Sequence, residues 1–179
     1  MKIILLLLLL HNTFVSNSQD KFEWSDSRKL TMADFKGPAP DPSTHQSLVL
    51  NLGIEANLNK SDIENLKTFN NQIAFFFLRT NSWIDSANYS KLKYANTLFD
   101  LSEWKVRELR KQLNQNKELV LQGEYQKIQD KVHDEFAKLV TDYENESNYG
   151  NYIEGQMKWE MRIHEEIALL SNYCKSCQP

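Results

Sequence analysis

Residues 90–173 contain no proline, and apolar side chains recur through them at steps of three and four. That period keeps such positions on one face only in an α-helix, and an uninterrupted stretch this long commits nearly half of the chain to helix. Three helices are predicted. The first runs from about Ser90 to Asn114, with Leu92, Ala95, Phe99, Val106, Leu109 and Leu113 inward. The second runs from about Gly123 to Asn145, with Tyr125, Ile128, Val132, Phe136, Leu139 and Tyr143 inward. The third runs from about Tyr152 to Asn172, with Trp159, Ile163, Ile167 and Leu170 inward. Asn148-Tyr149-Gly150-Asn151 separates the last two, with Gly150 in a helix-stop position.

The preceding residues follow a different rule. Lys21 to Trp24 and Leu30 to Phe35 are short apolar-polar pieces, and Gly37-Pro38-Ala39-Pro40-Asp41-Pro42 is a rigid extended loop. Leu48, Leu50, Leu52, Ile54, Ala56 and Leu58 alternate, which predicts one strand from Gln46 to Asn59 with a single buried face. Lys60 to Thr68 reads as a polar connector or short helix. Ile73 to Leu78, Ile-Ala-Phe-Phe-Phe-Leu, suits a central strand. The expected fold class is α+β, a small antiparallel sheet packed against a layer of three helices, in a single domain over residues 19–179.

Residues 1–18 read as a secretory signal. Lys2 is the positive end, Ile3 to Leu10 are eight consecutive apolar residues, and Ser16-Asn17-Ser18 supplies small residues before Gln19. The alternative, a membrane anchor, is disfavoured because His11, Asn12 and Thr13 interrupt a run already shorter than the roughly 18 residues a span needs. The expectation is an exported protein, periplasmic or secreted, with no stable membrane span after signal removal. Its 21 basic and 24 acidic side chains give a formal net charge of −3, which offers no basic footprint for nucleic acid. A chain that is 41% hydrophobic and 11% aromatic is not intrinsically disordered, and two cysteines cannot make a disulfide-rich miniprotein.

Most chemistry-bearing residues read as structural. Cys174-Lys175-Ser176-Cys177 trails off the end of a helix, where a local disulfide or two thiols fits better than a redox pair. His45, His133 and His164 lack a second histidine at ligand spacing. The carboxylate pairs Asp134/Glu135, Glu144/Glu146 and Glu165/Glu166 read as solvated helix faces. Arg107, Arg110 and Lys111 with Glu103 and Glu108 read as surface pairs on the first helix, each worth about 0.2–0.5 kcal/mol. Trp24, Trp83 and Trp159 read as core anchors, and Trp104 as a ring near the surface of the first helix.

Four stretches, in order, resemble an uncharacterised family of bacterial exported proteins described as candidate zinc-dependent proteases. Trp24, then Leu30-Thr31-Met32-Ala33-Asp34-Phe35-Lys36-Gly37, is similar to the family's opening Trp and Leu-Thr-Trp-x-Asp-Phe-x-Gly. Ser82-Trp83 follows. Tyr94-Ala95-Asn96-Thr97-Leu98-Phe99-Asp100, then Glu103, Arg107 and Arg110, stands where the family has His-Glu-x-x-His-Phe-Asp and an Arg-rich helix. Tyr143 to Gly150, then Gln156 and Trp159, stands where the family has Tyr-Asp-x-Glu-Thr-x-His-Gly and Gln-x-x-Trp. The resemblance covers nearly all of the chain beyond residue 18. It implies a zincin-like scaffold in degenerate form, with Asp100, Glu103, Arg107, Gly150 and Trp159 as framework positions.

The departures fall on the chemistry. In a His-Glu-x-x-His helix, two imidazoles four residues apart converge on zinc and the glutamate takes a proton from metal-bound water. Here Tyr94 and Leu98 replace the histidines, Ala95 replaces the glutamate, and Tyr149 stands for the downstream histidine. No catalytic residue, no metal ligand and no zinc cofactor is then expected. Asp100 and Glu103 would remain as a weak oxygen pair. The resemblance implies a non-catalytic binding or scaffold module of the cell envelope, its partner an unidentified protein or envelope component. The alternative is an active metal-dependent peptidase with non-standard ligands. A second expectation is that the larger or more apolar replacements fill the former cavity, leaving a packed site rather than an open cleft.

Overall fold

The computed structural model describes residues 20–58 and 63–175. The predicted signal segment, Asn59 at the end of the predicted strand, residues 60–62 of the connector and Cys177 lie outside the described residues. The fold is α+β. Strand β1 (Lys21–Glu23) leads through a short 3-10 turn at Met32–Asp34 and the proline loop to β2 (Leu48–Val49) and β3 (Leu52–Ala56). Helix α1 (Leu66–Asn71), β4 (Ile73–Leu78) and β5 (Trp83–Ile84) follow. Then come α2 (Tyr89–Gln115), α3 (Lys117–Gln122), α4 (Gln126–Ser147) and α5 (Ile153–Leu169). Among the described residues no helix is long and apolar enough to cross a membrane.

Strand β4 lies at the centre of a three-stranded antiparallel sheet, with β1 opposite Phe76–Leu78 and β3 along nearly its whole length. Ile73, Phe75 and Phe77 point to the helices, where Phe99 of α2 meets Phe75 at 5.2 Å, Phe22 at 6.1 Å and Phe77 at 6.4 Å between ring centres. Each such fully buried ring contributes on the order of 1.5–3 kcal/mol. Phe76 faces the other way. It is nonetheless buried, because it lies across Gly53 of β3, where any Cβ would strike the ring, and under the Lys21 stem.

The alternating run at 46–59 is not one strand. It breaks after Val49, and its halves join different sheets: β2 pairs with β5, whereas β3 pairs with β4. The cause is the 3-10 turn at Arg79–Asn81, which shifts β5 away from the line of β4. Asn51 bridges the step: its N–H donates to Ser82 Oγ (2.9 Å), its Nδ2 to the Asn81 carbonyl (2.5 Å), and its carbonyl accepts from Leu78 N–H (2.9 Å). The piece at Leu30–Phe35 is likewise no strand. Asp34 turns it by accepting from both the N–H and hydroxyl of Thr31 at 2.8 Å, a capping box.

The three-helix layer is α2, α4 and α5, each packed on the other two, with α2 also on β4. Helix α2 is about 40 Å long and lies between the sheet and the other two helices, so it is buried on more than its one apolar stripe. Leu92 alone of its predicted inward residues is only half-buried. The second predicted helix starts later than expected. Gly123, at φ +80°, terminates α3, and α4 begins at Gln126. Helices α4 and α5 approach so closely that a Cβ on Gly155 would strike the Glu146 carbonyl.

Candidate functional site

Tyr94, Ala95 and Leu98 sit in the first third of α2 and are 0%, 0% and 3% exposed. The Tyr94 ring stacks on Tyr143 of α4 at 5.2 Å and 16°, and Tyr143 meets Trp159 of α5 at 5.7 Å. The half-buried Tyr149 ring lies 6.5 Å from Tyr94. An aromatic stack therefore fills the space where α2, α4 and α5 meet, and its polar atoms are satisfied within it. The Tyr94 hydroxyl donates to Glu144 Oε1 (3.0 Å) and the Tyr143 hydroxyl to Gln156 Oε1 (2.5 Å). Gln156 Nε2 donates in turn to Thr97 Oγ1 (2.6 Å) and Glu160 Oε1 (2.9 Å). A network closed in this way adds rigidity rather than a reactive group.

The α4–α5 turn presses on Tyr94. Asn148, Tyr149 and Gly150 hold φ of +47°, +53° and +79° in succession. The helix stop expected at Gly150 belongs to Asn148, whose short polar side chain tolerates the left-handed region. Gly150 instead allows a close approach, since a Cβ there would lie 2.7 Å from Tyr94 Cβ. Lys91, one turn before Tyr94 and 5% exposed, donates from Nζ to the Tyr149 carbonyl at 2.7 Å and pins the turn to α2. Burial pulls the Lys91 ammonium below its usual pKa.

These groups do not suit zinc. Burial, with Glu144 alongside, pushes the Tyr94 phenol well above its ordinary pKa, so it keeps its proton and has no phenolate to give. Ala95 and Leu98 carry no donor atom. Asp100 and Glu103, the expected oxygen pair, face different partners. Asp100 Oδ1 accepts from Trp24 Nε1 (2.9 Å) and both its oxygens accept from Lys29 Nζ (2.8 and 2.6 Å). Among the described residues no three His, Cys, Asp or Glu side chains are grouped to hold a metal ion.

Glu103 belongs to the largest departure from the sequence reading. Glu103, Arg107 and Arg110 are not surface pairs; they are 2%, 1% and 1% exposed. Glu103 Oε1 accepts from Arg107 Nε (2.9 Å) and Arg110 Nη1 (3.0 Å). Arg107 Nη1 also donates to the Ile167 carbonyl (2.8 Å), and Arg110 to the carbonyls of Ile73 (2.9 and 3.2 Å) and Tyr173 (3.1 Å). The arginines thus tie β4, α5 and the carboxyl-terminal segment to α2. A signal for this existed: Glu103 lies four residues after Phe99, and Arg110 four after Val106 and three before Leu113, so both stand in the apolar stripe. Trp104 is also buried, at 6%, rather than near the surface. Lys105 and Arg162 lie over its ring at 5.9 and 5.4 Å, their stems shielding it.

The remaining candidates are dispersed. His45, His133 and His164 are exposed. Cys174 is disulfide-bonded, at the end of a segment held by Arg110 and by Asn70 Nδ2, which donates to the Asn172 carbonyl (2.8 Å). Of the helical carboxylates, Glu144 is lifted above its ordinary pKa by burial, and the hydrogen bond from Tyr94 opposes the lift. A folded-state pKa above the unfolded value means that the charged form weakens the fold at neutral pH, and stability returns as pH falls through the folded value. Glu144→Gln is expected to raise stability near pH 7 by a fraction of a kcal/mol, since solvent screens a half-buried group. It should also flatten the pH dependence on the acid side. Urea midpoints measured between neutral and mildly acidic pH check both.

No family model, no curated protein and no solved structure matches this chain.

Proposed function

We propose that the chain is an exported, non-catalytic relative of the zinc-dependent protease family that its sequence resembles. On this reading it is a binding or scaffold module of the cell envelope, in the periplasm or outside the cell. The observation that carries it is the closed turn at Tyr94–Leu98. A proton-bearing phenol, a methyl and an isobutyl group occupy the positions of the metal motif, each 3% exposed or less.

Two further features support the shared scaffold. Residues that carry the resemblance are distant in sequence yet meet in space: Trp24 with Asp100, Leu30 with Asn96 by mutual hydrogen bonds of 2.8 and 3.1 Å, Gly37 with Ser82 at 2.8 Å, and Gly150 with Tyr94. Tyr149 also holds a left-handed backbone that histidine adopts more readily than a bulky aromatic does. A turn shaped for histidine at that position explains the strain that tyrosine now bears there.

Metal analysis of the purified protein, beside hydrolysis of an unstructured protein such as casein, tests the reading. The expected result is substoichiometric zinc and no cleavage. Stoichiometric zinc, or cleavage abolished by changing Tyr94, overturns it. The quadruple variant Tyr94→His, Ala95→Glu, Leu98→His and Tyr149→His is expected to gain zinc affinity by at least about two orders of magnitude, since removing ligand-supporting groups alone changes affinity by roughly 10–100-fold. A folded quadruple variant with no such gain would show that these positions do not correspond to a metal site.

A further inference from the structure

The chain grips its own carboxyl-terminal segment by the main chain, as a peptide-binding protein grips a ligand. After α5, residues 171–175 make one 3-10 turn, Ser171–Tyr173, and lie on α1 and α2. Two buried side chains hold successive carbonyls: Asn70 Nδ2 donates to that of Asn172 (2.8 Å) and Arg110 Nη1 to that of Tyr173 (3.1 Å). Glu23 of β1 then pairs with Lys175 Nζ at 2.5 Å. The donors are fixed from behind. Glu103 and the Ile73 carbonyl hold Arg110, and Asn70 stands in the last turn of α1. The segment is held more loosely. Ser171 and Asn172 are exposed, Tyr173 to Lys175 are half-buried, and an ion pair as open as Lys175–Glu23 contributes little.

The segment also leaves Asn70 half-used. Among the described residues Asn70 Oδ1 accepts no hydrogen bond, although the side chain is 2% exposed. A buried acceptor without a donor is costly. A side-chain amide has both a donor and an acceptor to offer a peptide main chain, and the segment engages the donor alone.

We propose that Asn70, Arg110 and Glu23 form a peptide-binding site, that residues 171–175 occupy it as a built-in competitor, and that its partner is a peptide segment of another protein with the same pattern. That pattern is two successive free carbonyls, an aromatic side chain on the second residue and a cation two residues further on, as in Asn172, Tyr173 and Lys175. A main-chain N–H offered to Asn70 Oδ1 makes such a peptide the better occupant. The tether is the control: a segment attached to α5 competes at an effective concentration of roughly millimolar, so a free peptide enters once the segment lifts. Segments with few buried contacts open well below the free energy of global unfolding. The site is separate from the turn at Tyr94–Leu98, so a zinc-loaded protein would end the reading above and leave this one standing.

Two measurements on the full chain test this. In the unaltered protein, amide hydrogen exchange at Tyr173 and Cys174 should run at least about a hundredfold faster than in the middle of α2. Equal rates overturn the inference, because the segment then opens only with the whole domain. The second measurement uses Tyr173→Gly with Lys175→Glu, which removes the ring and sets a carboxylate against Glu23. Both changes lie in the segment and leave the site as it is. A fluorescent peptide of residues 171–179, its two cysteines joined, should bind this variant at least about tenfold more tightly than the unaltered protein, read by anisotropy. The same peptide with Lys175→Glu should not bind, and adding Asn70→Ala to the variant should remove most of the gain. Equal binding to both proteins, binding to neither, or binding indifferent to Lys175→Glu overturns the inference. So does a variant that has lost its helical circular dichroism, since the segment is then a fixed part of the fold.

Discussion

Glu103→Ala is expected to cost about 3–5 kcal/mol of stability, the range for removing one partner of a buried ion pair. Single domains are stable by only about 5–15 kcal/mol, so the variant should lie close to unfolding at 25 °C. The magnitude follows from what remains. Arg107 and Arg110 are both 1% exposed, with their guanidinium groups 2.9–3.0 Å from the same carboxylate oxygen. Removing Glu103 leaves two like charges facing each other out of water. Among their other partners are the carbonyls of Ile73, Ile167 and Tyr173, which carry only partial charge, and the Trp24 ring beside Arg107. Replacing all three side chains by apolar residues of similar volume should recover part of the loss but not all, because those carbonyls then lose their donors. Urea unfolding followed by circular dichroism measures both variants. A loss below about 1 kcal/mol for Glu103→Ala would mean that water reaches the cluster and that its burial is not what organises the end of the fold.

Gly150→Ala should cost about 2–5 kcal/mol, and Gly123→Ala about 1–2 kcal/mol, although the two glycines share nearly the same backbone conformation, φ +79° and +80°. Any L-residue pays the left-handed penalty at either position. At Gly123 a Cβ meets nothing within 4 Å, so the penalty is the whole effect. At Gly150 the added carbon would lie 2.7 Å from Tyr94 Cβ, so the α4–α5 turn must lift off α2. That displacement would loosen the Lys91 contact to the Tyr149 carbonyl and the packing behind Tyr94. The clash is with a Cβ, so shortening Tyr94 to alanine would not relieve it. Equal losses at the two glycines would show that the turn is not seated against α2.

Periodicity made most of the secondary structure legible. Phe99, Val106 and Leu113, or Val132, Phe136 and Tyr143, recur at a spacing that only a helix satisfies, and each set is buried. Ile73–Leu78 was recognisable because a strand covered on both faces needs no polar alternation. The same logic misread 46–59. Alternation records which face is buried but not which strand is the partner, and here the partner changes at Asn51 while the alternation continues. The site was legible by subtraction: Ala95 and Leu98 lack donor atoms whatever surrounds them. What surrounds them was not, since the stack of Tyr94, Tyr143 and Trp159 joins three helices whose approach no local spacing encodes.

The order of residues alone settled the α+β class, the central apolar strand, the three long helices and the lack of donor atoms on the side chains of Ala95 and Leu98. These follow from side-chain chemistry and from periods of two and of 3.6, both local properties. Whether a charge is wet or buried is not local. Glu103 and Arg110 look like ordinary helix-surface residues until β4, α5 and the carboxyl-terminal segment close over them, and Trp104 looks like a surface ring until Lys105 and Arg162 lie across it. Position relative to neighbouring elements decides such cases, because desolvation depends on everything within a few ångströms and very little of that is near in sequence.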